Sequence, residues 1–328
     1  MSNKLTSIEL CAGAGGQALG LHLAGFQHKL LIDIEPAACK TLEMNNLTHS
    51  LGWRTILEKC LIEFSHSNLE EYAGVDLIAG GVPCPPFSKA GKQLGKDDER
   101  DLFPAALRIV RKIDPKAVML ENVAGLLEPK FKSYRDAIDL ELSELGYTTF
   151  WRLISCSDYG VPQLRPRVIL VALKQRYADK FCWPDEKTSP PTVGESLVDL
   201  MEELGWSGAE EWAKKANKIA PTLVGGSKKH GGPDLGPTRA KAAWRELSVN
   251  GHRVADLPPS SDFIGEKVGY ENMPLLTVRM AARIQGFPDF WSFFGKKTAA
   301  YRQVGNAFPP PVSKAIGEKI RQALTETS

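Results

Sequence analysis

The sequence predicts an α/β protein built on a doubly wound, mostly parallel sheet, with a smaller domain inserted late in the chain. Three observations carry this. Short apolar runs alternate with helical patterns through residues 1–175, the alternation stops after Lys174, and a helical pattern resumes at Thr277. Such alternation places helices on both faces of a parallel sheet and ligands at the carboxyl ends of its strands. The division that follows assigns 1–175 plus 273–328 to one discontinuous domain and 176–272 to the insertion.

The elements follow in order. Aliphatic runs bounded by turn residues predict strands at Ser7–Leu10, Lys29–Ile32, Val75–Ala79, Ala117–Leu120, Thr148–Ile154 and Arg167–Leu173. Helical spacing of apolar residues predicts helices at Gln17–Ala24, Pro36–Met44, Leu102–Lys112 and Ser133–Leu145. Between Lys174 and Asn272 the chain is rich in Gly, Pro and Lys, with tryptophans at 183, 206, 212 and 244. Trp183, Trp206 and Trp212 read as core of the smaller domain rather than as stacking platforms. Thr277 is placed to cap a helix that Gly286 stops, and Pro311–Leu324 forms the last helix.

A composition of 43% hydrophobic and 24% charged residues suits a folded globular chain. No run approaches the roughly 18 apolar residues of a membrane span. The opening MSNKLTSIEL enters a strand directly, without the apolar stretch of a signal peptide. The six cysteines are scattered, with neither a CxxC pair nor zinc-ligand spacing, so free thiols in a reducing cytoplasm and no metal site are expected. The charge is uneven: Ala213–Arg253 holds nine Lys/Arg against two acids, +7, leaving −5 for the remainder of a chain whose net charge is +2. A basic segment on a mildly acidic body suits a polyanion, although a solvated lysine-rich loop has the same composition.

Chemistry concentrates at predicted strand ends. Ile8-Glu9-Leu10 runs into Cys11-Ala12-Gly13-Ala14-Gly15-Gly16, a glycine turn that lets backbone approach a ligand at a helix N-terminus. Asp33, with Ile34, closes the second strand where an acid meets ribose hydroxyls. Together they suit an adenosine-type cofactor without choosing between a nicotinamide dinucleotide and S-adenosylmethionine. Past the Val75–Ala79 strand, Cys84 lies between Pro83 and Pro85 in a Gly- and Pro-rich loop, a setting unlike that of a buried structural cysteine. The polar stretch that follows, with Lys89, Lys92, Lys96 and Arg100, suits a lid closing over a phosphate backbone. Glu121-Asn122-Val123 ends the next strand, and Gln163, Arg165 and Arg167 lead into another at a spacing of two.

These stretches resemble, in order and over almost the whole chain, the motifs of the cytosine-C5 DNA methyltransferases. The cofactor turn is matched by Cys11–Gly16, the second-strand acid by Asp33, the nucleophile by Pro83-Cys84 and the Glu-Asn-Val motif by Glu121–Val123. The Gln-x-Arg-x-Arg motif falls on Gln163, Arg165 and Arg167, a late helix motif on Arg279, Arg283, Gly286, Phe287 and Pro288, and the closing Gln-x-Gly-Asn on Gln303, Gly305 and Asn306. Three departures stand out. Cys11 replaces a common aromatic, Pro85 a common Gln, and the third-strand acid expected on adenine is replaced near Cys60-Leu61.

The resemblance implies the S-adenosylmethionine-dependent methyltransferase fold, a target-recognition domain at 176–272, and transfer of a methyl group to C5 of a flipped-out cytosine in double-stranded DNA. Cys84 would add to C6, its thiol pKa lowered by cationic or dipolar surroundings. Glu121 would serve ring N3 and Arg165 would orient O2, with Asn122 and Arg167 bracing the site. The cofactor would be held by Cys11–Gly16, Asp33, Ile34, Cys60, Leu61, Pro83, Leu102, Asn306 and Ala307. DNA contacts would come from Ser88, Lys89, Lys92 and Arg100, from the Thr222-Leu223 pair, and from Lys228, Lys229, Arg239 and Arg245.

Two rival readings remain at this stage. The RNA-acting branch of the family shares the catalytic motifs but typically carries a Cys-Phe-Thr tripeptide, which this sequence lacks. A catalytically inactive DNA-binding relative would have no need of Cys84, Glu121 and the cofactor turn together. The short N-terminus suggests a stand-alone, monomeric, cytoplasmic modification enzyme of prokaryotic type, with a cognate restriction endonuclease as possible partner and no membrane association.

Overall fold

The structure is a computed structural model that describes residues 4–84, 101–185, 188–225, 233–266 and 268–326. The elements run β1 (Thr6–Leu10), α1 (Gly16–Leu23), β2 (Gln27–Asp33), α2 (Pro36–Thr48), β3 (Thr55–Glu58), α3 (Leu61–His66), β4 (Leu77–Gly80), α4 (Phe103–Ile113), β5 (Ala117–Val123), α5 (Lys132–Glu144), β6 (Tyr147–Ser155), β7 (Pro166–Lys174) and α6 (Gln175–Ala178). They continue with α7 (Val193–Glu202), α8 (Ala209–Lys215), α9 (Thr238–Glu246), α10 (Val278–Ile284), α11 (Lys297–Asn306) and α12 (Pro310–Thr325). Each expected strand and helix is present, its ends shifted by a few residues.

Seven strands form one sheet in the order β3-β2-β1-β4-β5-β7-β6. The pairs among β1 to β5 are parallel, and β7 runs antiparallel to β5. This is the mostly parallel, doubly wound sheet the sequence predicts. The strand order reverses between β1 and β4, the switch point where such sheets open a crevice at their carboxyl ends. Register fixes what meets there. Leu10 pairs with Gly80, and Gly80 with Leu120, so the chain leaves β1, β4 and β5 at one edge of the sheet.

Contact density divides the chain into two compact units, residues 1–154, 166–185 and 312–328, and residues 155–165 and 186–311. In the first, Ile8, Leu10, Ile32, Ile78, Val118, Leu120 and Leu170 pack against Leu61 and Phe64 of α3, Leu107 and Val110 of α4, and Ile138 and Leu142 of α5. Each such fully buried side chain contributes about 1.5–3 kcal/mol relative to exposure. On the opposite face, Ser313 Oγ of α12 donates to the Gln17 carbonyl of α1 at 3.0 Å.

The second unit is helical. Thr192 caps α7 in a capping box with Glu195, and Thr277 caps α10 through the Met280 N–H. Trp206, Trp212 and Trp244 are buried, in keeping with a core role, whereas Trp183 packs on Phe181 in the first unit. The boundaries also differ from the sequence division. Residues 273–311 and 155–165 are compact with the second unit, and only 312–328 return to the first.

Candidate active site

At the end of β4, Cys84 points its thiol at Asn122, donating to Oδ1 at 2.6 Å. The Asn122 amide is fixed at its other atoms: Nδ2 donates to the Val82 carbonyl at 2.9 Å, and Oδ1 also accepts the Val123 N–H at 2.9 Å. Arg167 Nε donates to Glu121 Oε1 at 2.8 Å, with side-chain exposures of only 13% and 14%. Their meeting follows from register. Arg167 lies opposite Val123, which shares a strand face with Glu121. The Leu102 N–H donates to the Pro83 carbonyl at 3.0 Å and so holds the start of α4 against the nucleophile segment. Beside it, buried Asp101 accepts the Tyr134 hydroxyl at 2.7 and 2.8 Å and the Phe103 N–H at 3.1 Å.

Burial pushes the Cys84 thiol up to about 12, the Asn122 contact works against that rise, and the charges of Asp101 and Glu121 add to it. The cations expected to lower it, at 89, 92, 96 and 100, lie outside the described residues.

The turn after β1 is built for close approach. Cys11, Gly13 and Gly15 all have positive φ (52°, 52° and 84°), and a Cβ on Gly13 would meet nothing within 4 Å among the described residues. Asp33 braces the turn, accepting the Gly13 N–H at 2.7 Å through Oδ2 and the Glu35 N–H at 2.8 Å through Oδ1. Ile34 beside it is 61% exposed, while Cys60 precedes the first residue of α3 and Leu61 is buried. Beneath the turn, both carboxyl oxygens of fully buried Glu9 and both amide atoms of Gln17 have no hydrogen-bond partner among the described residues. Burial raises the Glu9 carboxyl well above the usual carboxylate range. Unpartnered buried polar atoms under an open glycine turn are what a polar ligand would satisfy.

In the second unit, Arg165 is 2% exposed and its guanidinium donates to three backbone carbonyls: Leu223 at 2.9 Å, Gly305 at 3.0 Å and Ala307 at 2.9 Å. Gln163 Oε1 accepts the Leu223 N–H at 2.7 Å, and its Nε2 donates to Gln285 Oε1 at 2.7 Å. Arg165 thus fastens a junction, and the expectation that it orients a base while Arg167 only braces is revised. The arginine hydrogen-bonded to the candidate acid Glu121 is Arg167. Leu223 is also withdrawn as a DNA contact: its side chain is 1% exposed and its N–H and carbonyl serve Gln163 and Arg165. Thr222 donates to the Leu164 carbonyl. The junction admits no side chain at two positions, since a Cβ on Gly225 would lie 2.4 Å from Asn306 Oδ1 and one on Gly305 2.4 Å from the Gly225 nitrogen. Arg279 and Arg283 are structural too, Arg279 donating to the Pro288 carbonyl and Arg283 pairing with Asp199 and Asp289. Arg239 is exposed, and Arg245 lies over the Tyr270 ring at 5.0 Å. Ser88, Lys89, Lys92, Arg100, Lys228 and Lys229 lie outside the described residues.

Residues 5–322 match the sequence profile of the family described as C-5 cytosine-specific DNA methylase. The chain belongs to that family. It is 54% identical over 321 residues to the Type II methyltransferase M.NaeI of Lentzea aerocolonigenes, covering 98% of this chain and 75% of that relative. It is 52% identical over 324 residues to the Type II methyltransferase M.NgoMIV of Neisseria gonorrhoeae, covering 98% of each. Among solved structures, an E. coli prophage-encoded chain assigned as a DNA modification methyltransferase superposes with a TM-score of 0.66 at 25% identity, over 98% of this chain and all of that one. The Entamoeba histolytica methyltransferase EhMeth, at 16% identity and a TM-score of 0.66 over 99% of this chain, shares the fold.

As a DNA cytosine-C5 methylase, the protein is an enzyme whose site includes groups that sequence reasoning missed. Asp101 reads in sequence as an ordinary residue at a helix start, and the Tyr134 contact, 33 residues on, shows it as a buried carboxylate tied to α5. Glu9 was legible as an acid in an otherwise apolar strand, a pattern that signals a buried polar group. Among the described residues no group of His, Cys, Asp and Glu could hold a metal ion, and no helix is long and apolar enough to cross a membrane.

Proposed function

We propose that the protein transfers a methyl group from S-adenosylmethionine to C5 of a cytosine flipped out of double-stranded DNA, through a covalent bond between Cys84 and C6. The observation that carries this reading is the convergence of Cys84, Asn122, Glu121 and Arg167 at the ends of β4, β5 and β7. Cytosine C5 is a poor nucleophile, and thiolate addition at C6 turns the ring into an enamine that can attack an electrophilic methyl group. Glu121 gives a proton toward ring N3, drawing electrons from C6 as the C–S bond forms. Arg167 holds the Glu121 carboxyl and faces the base with it. Loss of the C5 proton then expels Cys84.

The residues of the β1 turn fit the cofactor. The open backbone at Gly13, the braced Asp33 and the exposed apolar Ile34 together offer polar and apolar surfaces to an adenosyl amino acid, above the buried polar atoms of Glu9 and Gln17. When bound, that group supplies the electrophilic methyl. Asn306 and Ala307 are assigned to its methionine end, and residues 176–272 to target recognition. Because C6 is shielded by stacking, the base must leave the duplex before Cys84 can reach it. The names of the two similar Type II methyltransferases support a place beside a separately encoded restriction endonuclease.

The test is DNA carrying 5-fluorocytosine with S-adenosylmethionine, since fluorine at C5 blocks the final proton loss. Wild type should give a denaturant-resistant protein–DNA band and Cys84→Ala none. An equal band in the variant removes Cys84 from the mechanism.

A further inference from the structure

The second unit carries a tyrosine ring with an arginine laid across it. Buried Trp244 seats α9 in the core of the unit, and its carbonyl accepts the Val249 N–H at 3.0 Å just past the helix end. Arg245, one residue on, is left exposed. The backbone that follows is fixed at both ends of a loop. The Asn250 N–H donates to the Pro274 carbonyl and the Ala255 N–H to the Leu276 carbonyl, both at 2.9 Å. The Asn272 N–H reaches back to the Ile264 carbonyl at 3.0 Å, and a Cβ on Gly265 would lie 2.6 Å from the Tyr270 carbonyl oxygen.

Tyr270 is thereby held from several sides. The Arg245 guanidinium lies over its ring at 5.0 Å, and Nη2 donates to the Gly269 carbonyl at 3.1 Å. His252 meets the ring edge-on, with Nε2 2.9 Å from the Tyr270 hydroxyl. Glu271, whose carboxyl is lowered first by the Gly269 N–H and also by the Arg245 charge, turns Oε1 to that N–H at 2.9 Å. Other cations nearby are taken up by acids: Lys241 by Asp234, Arg253 by Glu266 and Lys297 by Asp256. Arg239 is exposed on another face of α9, about 120° round the helix from Arg245. A guanidinium reads a base only when its fork is aimed, because the planar donors must meet guanine O6 and N7 together. A loosely held cation contacts phosphate and carries no sequence information. In Arg245 the ring sets the plane and the Gly269 carbonyl sets the rotation, while one nitrogen of three is engaged.

We propose that Arg245, aimed by Tyr270, is a specificity-determining residue that reads a guanine of the target sequence in the major groove. The inference rests on the assignment of residues 176–272 to target recognition. Tyr270 and His252 touch no base in this scheme and are positioning residues.

The experiment treats a library of random duplexes with the purified full-length protein and S-adenosylmethionine, and reads the product by bisulfite sequencing. Wild type should return a fixed sequence that contains guanine. Arg245→Ala should lose discrimination at one guanine position by about 5- to 150-fold and keep it at the others. Arg245→Lys keeps the charge without the fork, so it should lose the same discrimination while the salt dependence of DNA binding stays, a separation that a merely structural role would not produce. Tyr270→Leu should weaken the same position and no other. Duplexes with 7-deazaguanine at each guanine in turn lack the N7 acceptor, and one position should slow wild type while leaving Arg245→Ala unaffected. Truncating exposed Arg245 leaves the Trp244 core in place, so the two Arg245 variants decide the matter even if Tyr270→Leu unfolds. A site without guanine, a uniform loss at every position in Arg245→Ala, or an equal 7-deazaguanine effect in wild type and Arg245→Ala overturns the proposal. A wild type that methylates no cytosine, or all alike, returns no site at all; that distinct result overturns the underlying reading and this one with it.

Discussion

The exchange of roles between Arg165 and Arg167 gives the sharpest prediction. Arg167→Met removes the guanidinium that pairs with Glu121 at 2.8 Å in a site where both side chains are largely enclosed, with exposures of 13% and 14%. The interaction strengthens as charge develops on the ring, and losing one such preorganised donor typically costs 10²–10³ in rate, about 2.7–4 kcal/mol. Single-turnover methylation at saturating DNA and cofactor should slow by about that factor, beyond any loss of stability from leaving Glu121 unpaired. Arg165→Met instead leaves the carbonyls of Leu223, Gly305 and Ala307 without their charged donor in a buried junction. Hydrogen bonds to charged groups contribute about 1.5–3 kcal/mol each and do not add fully, so a loss of about 4 kcal/mol is expected. For 328 residues the unfolding entropy is about 0.7 kcal/mol/K, which converts that loss into about 6 °C of melting temperature. The assays are single-turnover rates and thermal melts on the two variants side by side. An Arg167→Met enzyme that turns over normally, or an Arg165→Met enzyme that melts like wild type yet is inactive, refutes the reasoning.

Three further outcomes are expected. Burial lowers His28 to about 4, where it is held neutral between Ser7 Oγ and the Ala18 carbonyl. The unfolded chain binds a proton near pH 6.5 that the folded one refuses, so stability should fall as pH drops from about 6.5 toward 4, by about 3 kcal/mol in all, and a denaturant midpoint flat over that range contradicts it. The sign is opposite in consequence for Glu9, whose raised pKa means the folded protein keeps a proton that the unfolded one releases. Stability is then lost as pH rises above the ordinary carboxylate range, and Glu9→Gln should melt higher than wild type at pH 8 with the gain vanishing near pH 4; an equal gain at both pH values would show that ionisation is not the cause. Arg239→Ala should reduce the salt dependence of DNA binding by up to about one counterion, and an unchanged slope places that exposed arginine away from phosphates.

What was legible in the sequence follows from where each residue finds its partners. Strands β1, β2, β4, β5 and β7 are buried on both faces and so read as aliphatic runs, whereas β3, a four-residue edge strand with exposed ends, carries no such signal. Helices α7 to α9 were hidden because their apolar faces rest on few large residues, Trp212 and Trp244 among them, within a Gly-, Pro- and Lys-rich stretch. Cys84 and Glu121 were legible because parallel strands of known polarity must end at one edge. The two arginines were not separable, since a spacing of two sets them alike along the chain. What tells them apart is distance in sequence: Arg165 finds its acceptors 58, 140 and 142 residues away, while Arg167 finds Glu121 across one antiparallel ladder. Asp101 shows the same limit: in sequence it merely follows the cations at 89, 92, 96 and 100, and its contact with Tyr134, 33 residues on, is visible only in the fold. Local pattern thus reports which groups can react, and long-range packing decides which partners hold each of them.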